Sequence, residues 1–454
     1  MGPGMSPLAF AIRHVVYPSW ARKNGSAVLP YLAEMERAQY WSPEKLAEYQ
    51  WSAFKKLIAH AAETCPYYGE SLRRAGITPA DLRTPEDIRH VPTITKEEIQ
   101  AHRDELISSR YASRELIDDM TGGSTGSPMR FCYDRDRNDT RMAATLRHDR
   151  WSGWDIGERR AMLWGAPQDL KRARPLKARL RERLINRRLI LDASALDEAA
   201  MAHFAAQLLR YQPKMLLGYA NTLAFFARYV EAENIRGIRP KGIISSAEVL
   251  TEENRALIER TFGCRIFNRY GCREFAVIAS ECGEHDGLHV NADNLLLETL
   301  SGAEPARGDD GEIVITDLRN FAMPMIRYRI KDVGRLKETR CRCGRGLPLL
   351  DVSGGRVTDF LTATNGRKVS GIVLATYVIT RIPGIEQVQF VQSQRGAVTL
   401  NLVKGAQWSE GSTLTSLLTK AREFLGPDMR FEVSFRDRIH QEKSGKYRFA
   451  VSHL

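Results

Sequence analysis

Short apolar runs alternate with amphipathic stretches through the first two thirds of the chain. Between residues 30 and 110 the apolar positions fall at helical spacing: Leu46, Tyr49, Phe54, Leu57, Ile58 and Ala61 follow Ser42-Pro43, a capping residue and first-turn proline. CPYYG (65–69) breaks this pattern, and TPEDIRHVPTITKEEIQ (84–100) resumes it. SRELIDDM (113–120) is acidic and helix-like, MRFCY (129–133) predicts a strand, and a helix is expected from about Arg135 to Ser152. AMLWGAP (161–167) reads as a short buried strand, followed after a basic segment by a helix around 197–212. KMLLGY (214–219) is strand-like, and NTLAFFARYVEAENI (221–235) is helical with Asn221 as its cap. GIISSAE (242–248), a helix through 251–262 and CRIFNRYG (264–271) continue the alternation.

Strand–helix alternation of this kind predicts an α/β fold with mainly parallel sheet. Beyond about residue 290 the pattern becomes β-rich, in LLLETL (295–300), GEIVITDL (311–318) and MIRYRIKDVGRL (325–336). SGGR (353–356) is a hinge candidate. After it come DFLTATNG, a helix near 370–380, VQFVQS, AVTLNLV, a helix near 413–425 and the strand RFEVSF (430–435). These predict a large N-terminal domain, 1–354, and a small, mobile α+β domain, 355–454.

Composition narrows the class. With 454 residues, 43% hydrophobic and 27% charged, the chain has ample length for more than one core. No apolar run approaches the roughly 18 residues of a membrane helix. The N-terminus lacks a basic region and cleavage site, so no signal peptide is expected, and the location expected is cytoplasmic. Seven cysteines, an odd and scattered set, do not form a disulfide scaffold. The net charge of +12 is partly local: KRARPLKARLRERLINRRL (171–189) holds nine Lys/Arg against Glu182. That segment suits an anionic membrane surface or an acidic carrier or cofactor, or a solvated helix face with Leu176, Leu180, Leu184 and Leu189 inward. No interleaved aromatics or nucleic-acid motif accompany it, so no nucleic-acid partner is expected.

Several constellations carry chemistry. Thr121-Gly122-Gly123-Ser124-Thr125-Gly126-Ser127 joins glycine permissiveness to hydroxyls and free amides, a set able to surround phosphate oxygens. It is no Walker loop, because no Gly-Lys-Ser/Thr follows. Tyr270-Gly271-Cys272-Arg273-Glu274 ends a strand; its aromatic can cover a base and Glu274 can hold Mg²⁺. Ile326–Asp332 alternates apolar and polar residues and reads as an exposed-faced strand ending in Asp332, whose carboxylate can accept both hydroxyls of a ribose. Arg356 could pair with phosphate or ribose oxygens. Ser444-Gly445-Lys446 can present an ammonium to a phosphoryl group, with Lys443 as competitor. Cys282, His289, Cys341 and Cys343 form two pairs that could supply a structural zinc set, with His285, Cys272 and Cys264 as substitutes.

In this order the motifs resemble the adenylate-forming superfamily, which includes acyl-CoA synthetases, adenylation domains and luciferases. PYYGESLRRAGI, LLGYANTL, DGLHV, TDLRNFAMPMIRYRIKD and CRCGRGLP resemble its phenylacetate–CoA ligase-like branch, particularly the capsule-biosynthesis subgroup. The resemblance runs from about residue 40 to the C-terminus. It implies ATP-dependent activation of a carboxylic acid, aryl or arylacetic among the options, to an acyl-adenylate, then transfer to coenzyme A; an amine, hydroxyl or acyl carrier protein thiol is the alternative acceptor, and a non-catalytic nucleotide-binding relative the third. By residue, it implies phosphate binding by Thr121 to Gly126 with Thr125 catalytic, an adenine side at Ser246, Ala247 and Glu248, nucleotide contacts from Asn268, Arg269, Tyr270 and Gly271, and ribose contacts from Asp332 and Arg356. Glu274 would carry magnesium and Lys446 would be the catalytic lysine. Trp164, Tyr219, Asn221 and Gly271 are assigned to the acid pocket. The branch also carries Cys/His positions like the four above, which supports zinc.

Two departures stand out. Ser127 occupies a position where the family usually has lysine or another polar residue, and Thr358 replaces the usual Asp or Lys of the hinge, with Asp359 displaced by one. Lys446→Ala is expected to lower adenylate formation by on the order of 10²-fold, the usual cost of losing one preorganised charge. A neutral result in a single-turnover assay would move the role to Lys443.

Overall fold

A computed structural model describes the chain apart from residues 1–4, 122–128, 165–181, 183–184, 193–197, 307, 357–359, 367, 371–373, 375–381, 383, 406, 410, 440–447 and 449. Its contacts divide it into two compact units: Met1–Ile330 with Arg335–Asp351, and Lys331–Gly334 with Val352–Leu454.

In the larger unit, β1 (Ile117–Met120) and β2 (Arg130–Tyr133) form an antiparallel pair. A second series follows: β3 (Arg160–Trp164), β4 (Arg188–Asp192), β5 (Met215–Tyr219), β6 (Gly242–Ser246) and β7 (Arg265–Cys272). These run parallel in the order β4-β3-β5-β6-β7. At β7 the sheet changes character, because β8 (Ala276–Ser280) turns back antiparallel to it and β9 (Leu288–Val290) antiparallel to β8. β10 (Leu295–Ser301), β11 (Glu304–Pro305), β12 (Gly311–Asp317), β13 (Tyr328–Leu336) and β14 (Leu349–Arg356) complete a twelve-stranded sheet. The expected β-rich region is therefore continuous with the parallel half.

Strand alternation divides the core of the parallel half. Leu216, Ile243 and Ile266 face helices Glu198–Tyr211, Ala220–Ala232 and Glu252–Phe262, meeting Phe204, Phe226 and Phe262. Their neighbours Met215, Ile244 and Phe267 belong to the opposite layer with Leu32, Met35, Ala143 and Trp154, beneath helices Val28–Ala38 and Arg135–Trp151. Consecutive apolar residues serving two faces are what a strand covered on both sides requires. Helix Glu252–Phe262 starts on Thr251, whose hydroxyl accepts from Asn254 N–H, and stops at Gly263 in the left-handed conformation (φ 66°).

Helix Arg135–Trp151 holds the two halves of the sheet together through buried ion pairs. Arg137 Nε donates to Asp317 at 2.7 Å, and Arg147 to Asp293 at 2.6 Å and to Asn291 at 2.5 Å. Asp149 accepts from Arg269 at 2.7 Å and from Arg160 at 3.2 Å.

The smaller unit has its own core. β17 (Ile385–Gln394) and β18 (Ala397–Lys404) form a hairpin, flanked by β20 (Ala450–Ser452) parallel to β17 and β19 (Arg430–Phe435) parallel to β18. Val388, Phe390, Leu400 and Leu402 pack with Leu417, Ala421 and Leu425 of helix Ser412–Leu425. β15 (Phe360–Thr362) pairs with β16 (Lys368–Ser370). The helix expected near 370–380 falls largely outside the described residues.

Four expectations are corrected. SRELIDDM forms a 3₁₀ turn, Ser113–Glu115, and then β1, because pairing with β2 outweighs its local helix propensity. Leu189 stands on β4, in parallel register with Ala161 of β3, and not on a helix; Leu176, Leu180 and Leu184 are outside the described residues. Asn221 lies inside helix Ala220–Ala232, whose cap position is Tyr219. Asp332 is mid-strand in β13, and Ile326, Arg327 and Tyr328 are all buried, so no exposed face alternates there. The cause is Arg327, drawn inward to Glu298 at 2.9 Å and to the Val91 carbonyl at 2.6 Å.

Phe226→Ala is expected to destabilise the larger unit by about 3–5 kcal/mol, the range for removing a buried aromatic ring. Phe226 is fully buried, with ring centroids of Phe262 and Phe204 at 5.9 and 6.2 Å. Chemical denaturation measures this, and a loss below about 1 kcal/mol would contradict the packing.

Candidate active site and metal-ligand cluster

Parallel strands place their carboxyl ends on one edge, where α/β sheets receive ligands. Register aligns Leu163 with Gly218, Tyr219 with Ser246, and Ser246 with Arg269. Trp164, Tyr219 and Ser246 thus stand side by side at that edge, with Tyr270 one residue further along β7, beyond Arg269. The Trp164 and Tyr219 rings stack at 4.4 Å with 28° between planes. Ala247 follows with a positive φ of 67°, a conformation few non-glycine residues adopt, and Glu248 is half-buried. The first turn of helix Ala220–Ala232, with Asn221, opens on the same edge.

Gly271 has a steric reason. At a register shift between Tyr270 and Gly271, a Cβ on Gly271 would lie 2.1 Å from the Ala276 carbonyl oxygen. The tight return places Glu274 where the Tyr328 hydroxyl donates to its Oε1 at 3.5 Å. Asn268 is tied through its backbone to Glu281, whose carboxylate accepts its N–H at 2.7 Å. Arg269 alternates to the opposite face and is committed to Asp149, so its guanidinium belongs to the core and not to the Tyr270 side.

The glycine-rich loop is placed through its stem. Thr121 N–H donates to the Met129 carbonyl at 3.0 Å, and Met129 N–H donates to Thr121 Oγ1 at 2.9 Å. Gly122, Gly123, Ser124, Thr125 and Gly126 lie outside the described residues, as do Thr358 and Lys446. Asp332 falls in the smaller unit, and Arg356 ends β14. One residue escaped sequence reasoning. Arg141 lies over the Tyr133 ring at 4.2 Å from its centroid, and its Nη2 donates to the Arg273 carbonyl at 2.6 Å, joining the loop's stem to the Tyr270–Glu274 turn. Its only sequence signal is its place fourteen residues after Ser127, the last of the loop's hydroxyls, on an arginine-rich helix.

Cys282, His289, Cys341 and Cys343 converge, with all four ligand atoms within 4.8 Å of one another. The Cys282 and Cys341 sulfurs are 3.6 Å apart, too far for a disulfide, and Cys343 Sγ is 3.3 Å from His289 Nε2. Edges of roughly 3.5–3.8 Å are what ligands 2.0–2.3 Å from a tetrahedral metal require. His289 Nδ1 lies 3.3 Å from the Leu347 carbonyl, which can hold the ring with Nε2 toward the thiols. Burial lowers the His289 pKa to about 4, keeping the imidazole neutral, and raises the Cys282 thiol to about 12. The proposed substitutes are elsewhere: His285 pairs with Glu281 at 3.1 Å, and burial raises Cys264 to about 12. The donor set fits a divalent cation.

The small unit's residues 361–453 match the family described as the CapK C-terminal domain. Across the chain, Protein CapK of Staphylococcus aureus is 25% identical over 415 residues, covering 90% of each chain. The phenylacetate-coenzyme A ligase of Thermus thermophilus is 26% identical over 345 residues, 70% of this chain and 72% of its own. Among solved structures, 2-hydroxyisobutyryl-CoA ligase with its acyl-AMP, in the postadenylation state, superposes with a TM-score of 0.73 at 17% identity, covering 92% of this chain and 91% of its own. That likeness establishes the fold.

Metal analysis of the purified protein is expected to find about one equivalent of a divalent metal, as a closed four-ligand set binds. Cys282→Ser should remove it and lower the melting temperature. Loading should fall as pH falls, because each thiol must lose a proton to bind. Protein free of metal, with a melting temperature indifferent to chelator, would contradict the site.

Proposed function

From a chain homologous to CapK and to the phenylacetate–coenzyme A ligases, we infer an AMP-forming acid ligase. It activates a carboxylic acid with ATP to an acyl-adenylate, releases pyrophosphate and transfers the acyl group to the thiol of coenzyme A. The observation that carries the reading is the gathering of Trp164, Tyr219 and Ser246, with the Tyr270–Glu274 turn that follows β7, at one carboxyl edge, and the tie that Arg141 makes from that turn to the stem of a glycine- and hydroxyl-rich loop.

In this reading a large domain, 1–354, holds the substrates and a lid, 355–454, completes the site. A substrate carboxylate oxygen attacks the α-phosphorus in line; the new O–P bond forms as the bond to the β-phosphate oxygen breaks. Gly122 to Gly126, with Thr121 and Thr125, hold the phosphates. Tyr270 and the Ser246–Glu248 segment flank the adenine, while Asp332 and Arg356 take the ribose. Lys446 stabilises charge that develops on the oxygens. Glu274, half-buried beside the Tyr328 hydroxyl, offers the oxygen ligand that Mg²⁺ prefers, and the ion would neutralise phosphate charge. Trp164 and Tyr219 form an aromatic wall suited to a planar acid. Zinc fits the Cys282/His289/Cys341/Cys343 set as a structural ion, because its four protein ligands leave no position open for substrate.

A second acceptor class is the alternative to coenzyme A. An amine, a hydroxyl or an acyl carrier protein thiol is the acceptor in that version. No helix of the described residues is long and apolar enough to cross a membrane, and a cytoplasmic setting suits the proposed substrates.

ATP–pyrophosphate exchange across a panel of carboxylic acids, aryl and arylacetic ones included, tests this. Exchange with at least one acid is expected, and mass analysis with coenzyme A, amines and carrier proteins then reads the acceptor. ATP binding without exchange for any acid would overturn adenylation.

A further inference from the structure

We propose that Arg141 donates to the pyrophosphate half of ATP and supplies the cation that the glycine-rich loop lacks. This rests on the adenylation reading above. Residues 121–127 contain three glycines and four hydroxyl residues but no lysine or arginine, so the loop can offer a phosphate only neutral donors. Two or three negative charges must be met from elsewhere.

Helix Arg135–Trp151 begins two residues after β2, the strand that leaves the loop, and bears five arginines. Three are matched to carboxylates: Arg137 to Asp317, Arg147 to Asp293, and Arg150 to Asp155 and Glu36. Arg135 reaches the Asn24 carbonyl. Arg141 differs. Its described contacts are the face of Tyr133 and the Arg273 carbonyl, neither of which carries a charge; its Nη1, like Arg137 Nη2 and Arg147 Nε, is buried with no hydrogen-bond partner among the described residues, but those two guanidiniums each hold a carboxylate and Arg141 holds none among the described residues. A guanidinium N–H removed from water and left unpaired is costly, and an incoming anion recovers that cost.

The two contacts also fix the group's place. Tyr133 lies four residues beyond Met129, whose backbone closes the loop's stem on Thr121, and the Arg273 carbonyl immediately precedes Glu274. The cation is therefore held between the stem of the loop that the proposed function assigns to phosphate and the turn that it assigns to Mg²⁺. A guanidinium clamped by an aromatic face and a carbonyl loses little further freedom on binding, and its remaining N–H groups suit phosphate oxygens. Lysine would keep the charge but not the planar stack or the fork.

Calorimetric titration of magnesium pyrophosphate and, separately, AMP into wild type, Arg141→Lys and Arg141→Gln decides the point. Arg141→Gln is expected to weaken pyrophosphate binding about 10–100-fold, the worth of one hydrogen bond to a charged group, with AMP affinity within about twofold of wild type. Arg141→Lys should fall between. In exchange assays the KM for pyrophosphate should rise in the same order. Unchanged pyrophosphate affinity in Arg141→Gln would overturn the proposal, and so would equal losses for AMP and pyrophosphate, which mark a merely structural role. If Arg141→Gln does not fold, Arg141→Lys with wild-type pyrophosphate affinity overturns it. Wild type that shows Arg141-dependent pyrophosphate binding but exchanges with no acid would instead overturn adenylation alone.

Discussion

The buried charges of helix Arg135–Trp151 are the constraint on which the larger unit depends. Through Arg137 it grips the antiparallel half of the sheet at Asp317, and through Asp149 the parallel half at Arg160 and Arg269. Arg147 ties it to Asn291 and Asp293 in the segment between β9 and β10. Taking such groups out of water costs several kcal/mol each, so well-made pairs add little net stability. What they impose is alignment: a rotated helix or a slipped strand would strand a charge in the core at about 3–5 kcal/mol. The same helix positions Arg141 beside the Tyr270–Glu274 turn and, at its far end, Trp151 edge-on to His289 at 5.5 Å. The Tyr270–Glu274 turn and the Cys/His cluster thus share one rigid strut.

That rigidity explains why the site can rest on strand ends and tight turns. Gly271 permits a return that no side chain could enter, and Ala247 takes a left-handed conformation where β6 ends. Strained or crowded backbone is affordable only where the surroundings over-determine it. Parallel strands β5, β6 and β7, covered by helices on both faces, provide that setting.

Much of the fold was legible because each buried strand is short, apolar and bounded by polar turns. β3, β5, β6 and β7 fall where AMLWGAP, KMLLGY, GIISSAE and CRIFNRYG predict them. Legibility failed where a long-range partner decided the outcome. IDDM (117–120) became a strand only because Arg130–Tyr133 lies opposite, and Leu189 joined β4 by pairing with β3. Arg269 looks like a ligand of nucleotide by its neighbours Asn268 and Tyr270, yet strand alternation turns it to Asp149. The Cys/His set was readable as two pairs, but only the return of β14 against β9, Leu349 opposite His289, brings the pairs together. Arg141 gave no motif at all, since its meaning depends on Tyr133 and Arg273, 8 and 132 residues away.

The proposed function requires ATP at the carboxyl edge of the parallel strands with its adenine beside Tyr270. A cavity of about 300 Å³ lined by Tyr17, Trp20, Met142, Trp154, Arg160 and Arg188 lies at the opposite, amino-terminal edge of β3 and β4 and offers an aromatic alternative. The direct measurement is a crystal structure with magnesium and an ATP analogue that cannot be cleaved between the α- and β-phosphates. The adenine is expected between Tyr270 and the Ser246–Glu248 segment, with the terminal phosphates toward the Thr121 stem. Nucleotide in the Trp20–Trp154 cavity, or with its phosphates turned away from Thr121 and Glu274, would contradict it.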